Sequence, residues 1–341
     1  MAAFRSAGGS AAGGSDSVGV GAFPCSSPRP PVPFRRIVPF ALLVLLLGCT
    51  ARRPEAEAVD SRPRVLASFT VLADMAEQVA CGRLRVESLT RPGAEIHGYE
   101  VTPSDLRRAR GAQLLLENGL GLERWLDRFA TSLGPIPRVT LSRGVETIPI
   151  EAEGGRATNP HAWMSPKAAR IYVANLREAF TRLDPAGAND YRRCAEAYGA
   201  QLDRLDRELR QEIAALPPER RLLVTCEGAF SYLARDYGLQ EGWLWPVNGE
   251  REVTPQRLRR LIETVRHRQV PAVFCESTVD GRAQKRVAAE SGARLAGLLH
   301  VDSLSPPGGV ASTYLDLMRH NVGTVRRGLA PGARAAVGRP R

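Results

Sequence analysis

The chain has 341 residues, 43% of them hydrophobic and 24% charged, enough for a sizeable core and for two domains of ordinary size. That length and balance exclude a disulfide-stapled mini-protein, a disordered activator and a multi-pass membrane protein. The formal charge is +11, yet all but Lys167 and Lys285 of the 47 basic residues are arginine. With abundant Ala and Gly, that bias reads as a GC-rich coding sequence. No basic run is interleaved with stacking aromatics, so nucleic acid is excluded as a partner.

Residues 1–34 are rich in Gly, Ser, Ala and Pro and cannot supply a packed element. Arg35 and Arg36 then give a positive segment, and IVPFALLVLLL (37–47) gives an apolar one. Eleven apolar residues are too few for a bilayer of about 30 Å, which takes about 20 helical residues, so residues 1–48 read as an N-terminal extension and signal peptide. The length of chain before Arg35 suggests a start codon further downstream. Leu46 to Cys49 (LLGC) resembles the lipobox of bacterial lipoproteins, which implies that Cys49 is the lipidated first residue of the mature chain, followed by a flexible tether over 49–62. An exported chain faces an oxidising compartment, but Cys81, Cys194, Cys226 and Cys275 show no tight spacing. They are expected to be buried small hydrophobes rather than a disulfide framework.

From Arg64 onward short β-rich runs alternate with helical stretches, the pattern of βα units and a parallel sheet. Four strands are expected at 64–70, 84–90, 113–119 and 138–144, and four more at 221–228, 242–247, 272–277 and 294–304. Thr102-Pro103 and Thr254-Pro255 mark helix starts, with threonine at the cap and proline in the first turn. Between the two sets, Tyr191, Ala195, Tyr198, Leu202, Leu205, Leu209, Ile213 and Leu216 recur in steps of three and four. They predict one long amphipathic helix, ended by Pro217-Pro218. The expected fold is α/β: two lobes (63–183 and 221–330), each with a four-stranded parallel sheet flanked by helices, joined by a long rigid helix within 184–220 and followed by a basic tail, 331–341. A helical joint bends less than a pair of strand linkers, so lobe movement is expected to be small.

Of the five histidines, His267 and His320 sit in Arg-rich helical settings and are expected at the surface. His97 and His161 differ. Each lies in a Pro/Gly-containing loop leading into a helix, where open α/β sheets place ligands.

The motifs GAEIHGYEVTPSD, NPHAWMSPKAA, CEGAFSYLARDYGL, LWPVN, VPAVFCESTVD, VDSLS and TYLDLMRHN run in order from about Arg64 to Leu329. They closely resemble the metal-binding lipoproteins of bacterial ABC importers, in the manganese/iron branch of a family that also contains zinc binders. Carried over residue by residue, the resemblance implies that His97, His161, Glu227 and Asp302 hold one divalent ion between the lobes. It also implies a permease and its ATPase as partners, a membrane contact through the lipid anchor, and a monomer. Two imidazoles and two carboxylates suit Mn2+ or Fe2+, whereas a soft thiolate set would suit zinc or copper. Zinc-branch members carry histidine where Glu227 stands and a His-rich acidic loop before the second ligand; the corresponding stretch, EAEGGRATNP (151–160), has none. By affinity order zinc would still bind in a tube. His300 lies two residues before Asp302 and would point the same way on a strand, so periodicity alone could nominate it instead, but relatives carry an aromatic there, which implies packing. Strand alternation turns Cys226 away from the side that Glu227 faces, against thiol ligation.

The alternatives are a zinc-binding member of the same family, a metal-dependent hydrolase or oxygenase, and an adhesin-like surface lipoprotein with a structural ion. The chain lacks HExxH, and four protein ligands leave little room for a substrate, so an enzyme is not expected.

Overall fold

The computed structural model describes residues 60–152, 155–247 and 253–332, all within one compact unit, Val59–Arg341. The signal segment, Cys49 and most of the basic tail lie outside the described residues. No helix among the described residues is long and apolar enough to cross a membrane.

The first half opens with β1 (Arg64–Ala67), α1 (Thr70–Ala80), β2 (Arg85–Ser88), α2 (Pro103–Ala109), β3 (Leu114–Glu117), α3 (Leu126–Leu133) and β4 (Arg138–Thr140). Its four strands form one parallel sheet in the order β2-β1-β3-β4. That order reverses direction between β1 and β3, so the loops at their carboxyl ends open a crevice. Leu66, Leu115 and Leu116 are buried, as a parallel sheet covered by helices requires. Thr102 caps α2 through a capping box with Asp105, with Pro103 in the first turn as the sequence predicts.

An antiparallel hairpin follows, β5 (Pro149–Ala152) against β6 (Gly155–Thr158), in the stretch that the sequence offers only as a loop. Four exposed residues in β6 carry no hydrophobic alternation, so periodicity had nothing to register. Next come α4 (Pro166–Leu183) and α5 (Ala188–Ala214). The 27 residues of α5 span about 40 Å at 1.5 Å each. Tyr191, Ala195, Tyr198, Leu202, Leu205, Leu209 and Ile213 form its buried stripe, in the predicted register. It packs on α4 and α1 of the first half and on α9 (Tyr314–Leu329) of the second.

The second half holds β7 (Leu222–Glu227), α6 (Ser231–Tyr237), β8 (Gln240–Trp245), α7 (Pro255–His267), β9 (Ala272–Glu276), α8 (Arg282–Ser291) and β10 (Arg294–Leu299) ahead of α9. Its four parallel strands hydrogen-bond in two pairs, β7 with β8 and β9 with β10. Side-chain links join β7 to β9: the buried Gln284 amide donates to the carbonyls of Val224 (3.2 Å) and Phe274 (2.7 Å). Thr254 caps α7, with proline at its first turn as predicted.

The cysteines correct the sequence expectation. They form two disulfides, Cys81–Cys194 and Cys226–Cys275. The first ties the end of α1 to α5, and the second ties β7 to β9. Their partners are 113 and 49 residues apart in sequence, with Cα atoms 5.8 and 5.0 Å apart in space. Tertiary approach, not local spacing, makes the pairs.

Candidate metal centre

His97 lies in the loop between β2 and α2. The buried Ile96 beside it gives its carbonyl to the Trp125 indole N–H at 2.7 Å, and the Glu95 carboxylate accepts from the backbone N–H groups of His97 (2.6 Å) and Gly98 (2.7 Å). His161 follows Pro160, whose carbonyl accepts from the Asn118 side chain at the end of β3 (3.0 Å). Glu227 is the last residue of β7. Asp302 lies just beyond β10, and both of its neighbours are held by the first half: the Val301 carbonyl accepts from the Trp163 indole at 3.0 Å, and the Ser303 hydroxyl accepts from the Gly93 N–H at 2.6 Å.

These four sequence-predicted residues converge. The two Nε2 atoms of His97 and His161 are 3.1 Å apart. His97 Nε2 lies 3.4 Å from Glu227 Oε1 and 4.0 Å from Asp302 Oδ2. His161 Nε2 lies 3.8 Å from Glu227 Oε2 and 3.9 Å from Asp302 Oδ1. His161 is 0%, Asp302 1% and Glu227 2% exposed. Burial, with His97 beside it, pushes the His161 imidazole well below its ordinary value, so it stands neutral, the form that donates a lone pair to a cation. Buried carboxylates lose hydration, a cost that a divalent cation offsets.

Around this cluster stand residues that motif reading passed over. Glu95 forms a second group with His97 and Asp302, their candidate ligand atoms within 4.8 Å of one another. Glu276, fully buried at the end of β9, accepts from the Glu227 N–H at 3.3 Å, and burial pushes its carboxyl up to about 8. Asn159 contacts His161 directly at 2.9 Å. Asn159 and Glu95 each precede a histidine by two residues, a shared spacing that was there to be read. Cys226 and Cys275 sit beside Glu227 and Glu276, but their sulfurs are spent in the disulfide and supply no thiolate. His300 packs on the ring of His320 with centroids 5.4 Å apart and meets the Ser277 hydroxyl at 3.2 Å, in keeping with a packing role. His267 is exposed at the end of α7.

Two sets of parallel βα units, with His97, His161, Glu227 and Asp302 gathered at strand and loop ends, define the class by fold as an α/β protein. The family model for the zinc-uptake complex component A, periplasmic, matches residues 65–328, and the chain belongs to that family. It is 42% identical over 293 residues to the iron-binding protein YfeA of Yersinia pestis, covering 86% of this chain and 94% of that protein. It is 33% identical to the manganese-binding lipoprotein MntA of Halalkalibacterium halodurans, covering 85% and 97%. Among solved structures, the Mn-bound periplasmic metal-binding protein of candidatus liberibacter asiaticus superposes with a TM-score of 0.73 at 36% identity, covering 79% of this chain and 100% of that one. The periplasmic zinc-binding protein TroA of Treponema pallidum superposes at 0.74 with 28% identity, covering 79% and 99%.

Proposed function

We propose that this protein is the extracytoplasmic solute-binding component of an ABC importer, capturing one Mn2+ or Fe2+ ion and passing it to the permease and its ATPase. The observation that carries the reading is the convergence of two imidazole nitrogens and two carboxylates where the halves meet, with His161, Glu227 and Asp302 buried and His97 partly so. His97 and His161 are the ligands from the first lobe (63–183), and Glu227 and Asp302 those from the second (221–330). The ion is cargo, not a catalyst: four protein ligands around it leave no place for a reacting substrate. The names of the relatives support manganese and iron, and carboxylate oxygens favour those ions over softer ones. Zinc binds such a set more tightly by the affinity series, so the cargo is decided by which metal the compartment supplies.

Metal analysis of protein purified from its native periplasm without chelator tests the reading. Manganese or iron at one ion per chain is the expected result; zinc alone from cells grown on balanced metals overturns the choice of ion. Glu227→His, which exchanges a hard oxygen for a third imidazole, should shift relative affinity toward Zn2+ in a competition titration. Unchanged relative affinities would sink the ligand-type argument.

The same reading makes the chain a monomeric lipoprotein, anchored at Cys49 on the outer face of a membrane through the tether 49–62. Cys49→Ser should then move the protein from the membrane pellet to the soluble exported fraction. Mass spectrometry finding an unmodified mature terminus elsewhere rejects the anchor.

A further inference from the structure

Asn159 has a place in the fold that none of the four converging residues shares. It sits in the first half, two residues before His161, and its side chain spans to the second half. On one side its Oδ1 accepts from the His161 backbone N–H at 3.0 Å and lies 2.9 Å from His161 Nδ1. On the other its Nδ2 donates to the Gly228 carbonyl at 2.7 Å and to the Ser231 hydroxyl at 3.0 Å. Gly228 is the residue after Glu227. Asn159 is fully buried, and its own carbonyl accepts from the Tyr232 hydroxyl at 2.7 Å.

The partners fix which way the amide points. A backbone N–H can only donate, so the atom facing His161 is the oxygen. A backbone carbonyl can only accept, so the atom facing Gly228 is the nitrogen. The Ser231 hydroxyl agrees, because its proton goes to Glu241 Oε2 at 2.7 Å and leaves a lone pair for Asn159. Since Oδ1 is an acceptor, His161 Nδ1 must carry the ring proton. That leaves the lone pair of the ring on Nε2, the atom that faces Glu227, Asp302 and His97.

We infer that Asn159 is a positioning residue that sets the His161 tautomer and couples it to the Glu227 loop, so that ligands from the two lobes are presented to the ion together. The inference rests on the metal-binding reading above and deepens it. One amide does two tasks: its oxygen orients a first-lobe ligand, and its nitrogen holds the backbone just after a second-lobe ligand. Ring-nitrogen hydrogen bonds of this kind tune affinity by ten- to a hundredfold in metal sites. Here the second arm adds a kinetic consequence. While it holds, the Glu227 loop cannot swing away from His161, so it slows release of the ion.

The test compares the wild-type chain with Asn159→Ala and Asn159→Asp, using Mn2+ alone as probe. In the metal-free wild type, nitrogen NMR of the His161 ring should report a proton on Nδ1; a proton on Nε2 overturns the inference with no variant needed. Asn159→Ala should mix the tautomers and weaken Mn2+ binding by about ten- to a hundredfold. Asn159→Asp keeps the acceptor and loses both donors, so the tautomer should persist while Mn2+ dissociates several-fold faster. Wild-type affinity and tautomer in Asn159→Ala, or a wild-type dissociation rate in Asn159→Asp, overturns the coupling. If Asn159→Ala fails to fold, the wild-type tautomer and the Asp variant still decide. Failure of the underlying reading looks different: the wild type itself would not bind Mn2+.

Discussion

Glu227→Ala should weaken Mn2+ binding by more than about a hundredfold, beyond the cost of losing an outer hydrogen bond, while the metal-free protein stays folded. Ligand linkage turns this into a stability measurement. At metal concentrations about a thousandfold above Kd, binding stabilises the native state by about 4 kcal/mol, and a hundredfold loss of affinity leaves about 1.4 kcal/mol. With about 2–4 °C per kcal/mol for a chain of this size, the upward shift in melting temperature should shrink from about 10 °C to about 4 °C. The metal-free variant should melt no lower than the metal-free wild type. Glu227 is 2% exposed, and a buried carboxylate without its cation is costly, so removing it offsets the packing lost with the side chain. Asp302→Ala should behave alike. Calorimetry with and without Mn2+ reads all of this, and a variant that keeps the wild-type shift would remove its residue from the ligand set. A metal-free form that melts far below the wild type would instead assign the ion a structural role.

Full reduction of the two disulfides should be the largest change to the metal-free protein. Chain entropy assigns about 4 kcal/mol to a loop of 49 residues and about 5 kcal/mol to one of 113, and measured values centre on about 2–4 kcal/mol each. Even at the lower figure, the melting temperature should fall by about 10 °C in reductant. The two bridges should separate functionally. Removing Cys81–Cys194 by paired alanines loosens α1 from α5, and Mn2+ affinity should be unchanged. Removing Cys226–Cys275 frees the strands that end in Glu227 and Glu276, so stability and affinity should fall together. A wild-type melting curve indifferent to reductant overturns the stabilising role of both.

The long helix shows how much was legible in the chain. Its stripe from Tyr191 to Ile213 repeats at the helical period, a local signal that burial then matches residue for residue. The caps at Thr102 and Thr254 were legible for the same reason, since a side chain that satisfies a backbone N–H three residues on needs no distant partner. His97, His161, Glu227 and Asp302 could be nominated because each stands in an ordered motif at a loop or strand end. Their meeting within 4.0 Å could not, because it depends on how the strand ends of both halves and α5 set four loops against one another. The disulfides went unread on the same account. Cys81 and Cys194 lie on different helices, and Cys226 and Cys275 on strands from separate βα units, so no spacing links them. Asn159 is the sharpest case. In the sequence it is a polar residue before a proline, suited to a turn; only the approach of Gly228 and Ser231 from the other half gives its amide a second set of partners. Periodicity and capping are written over a few residues and act through the local backbone. Pairing, convergence and coupling are decided by contacts between segments far apart in the chain, and those exist only once the core has packed.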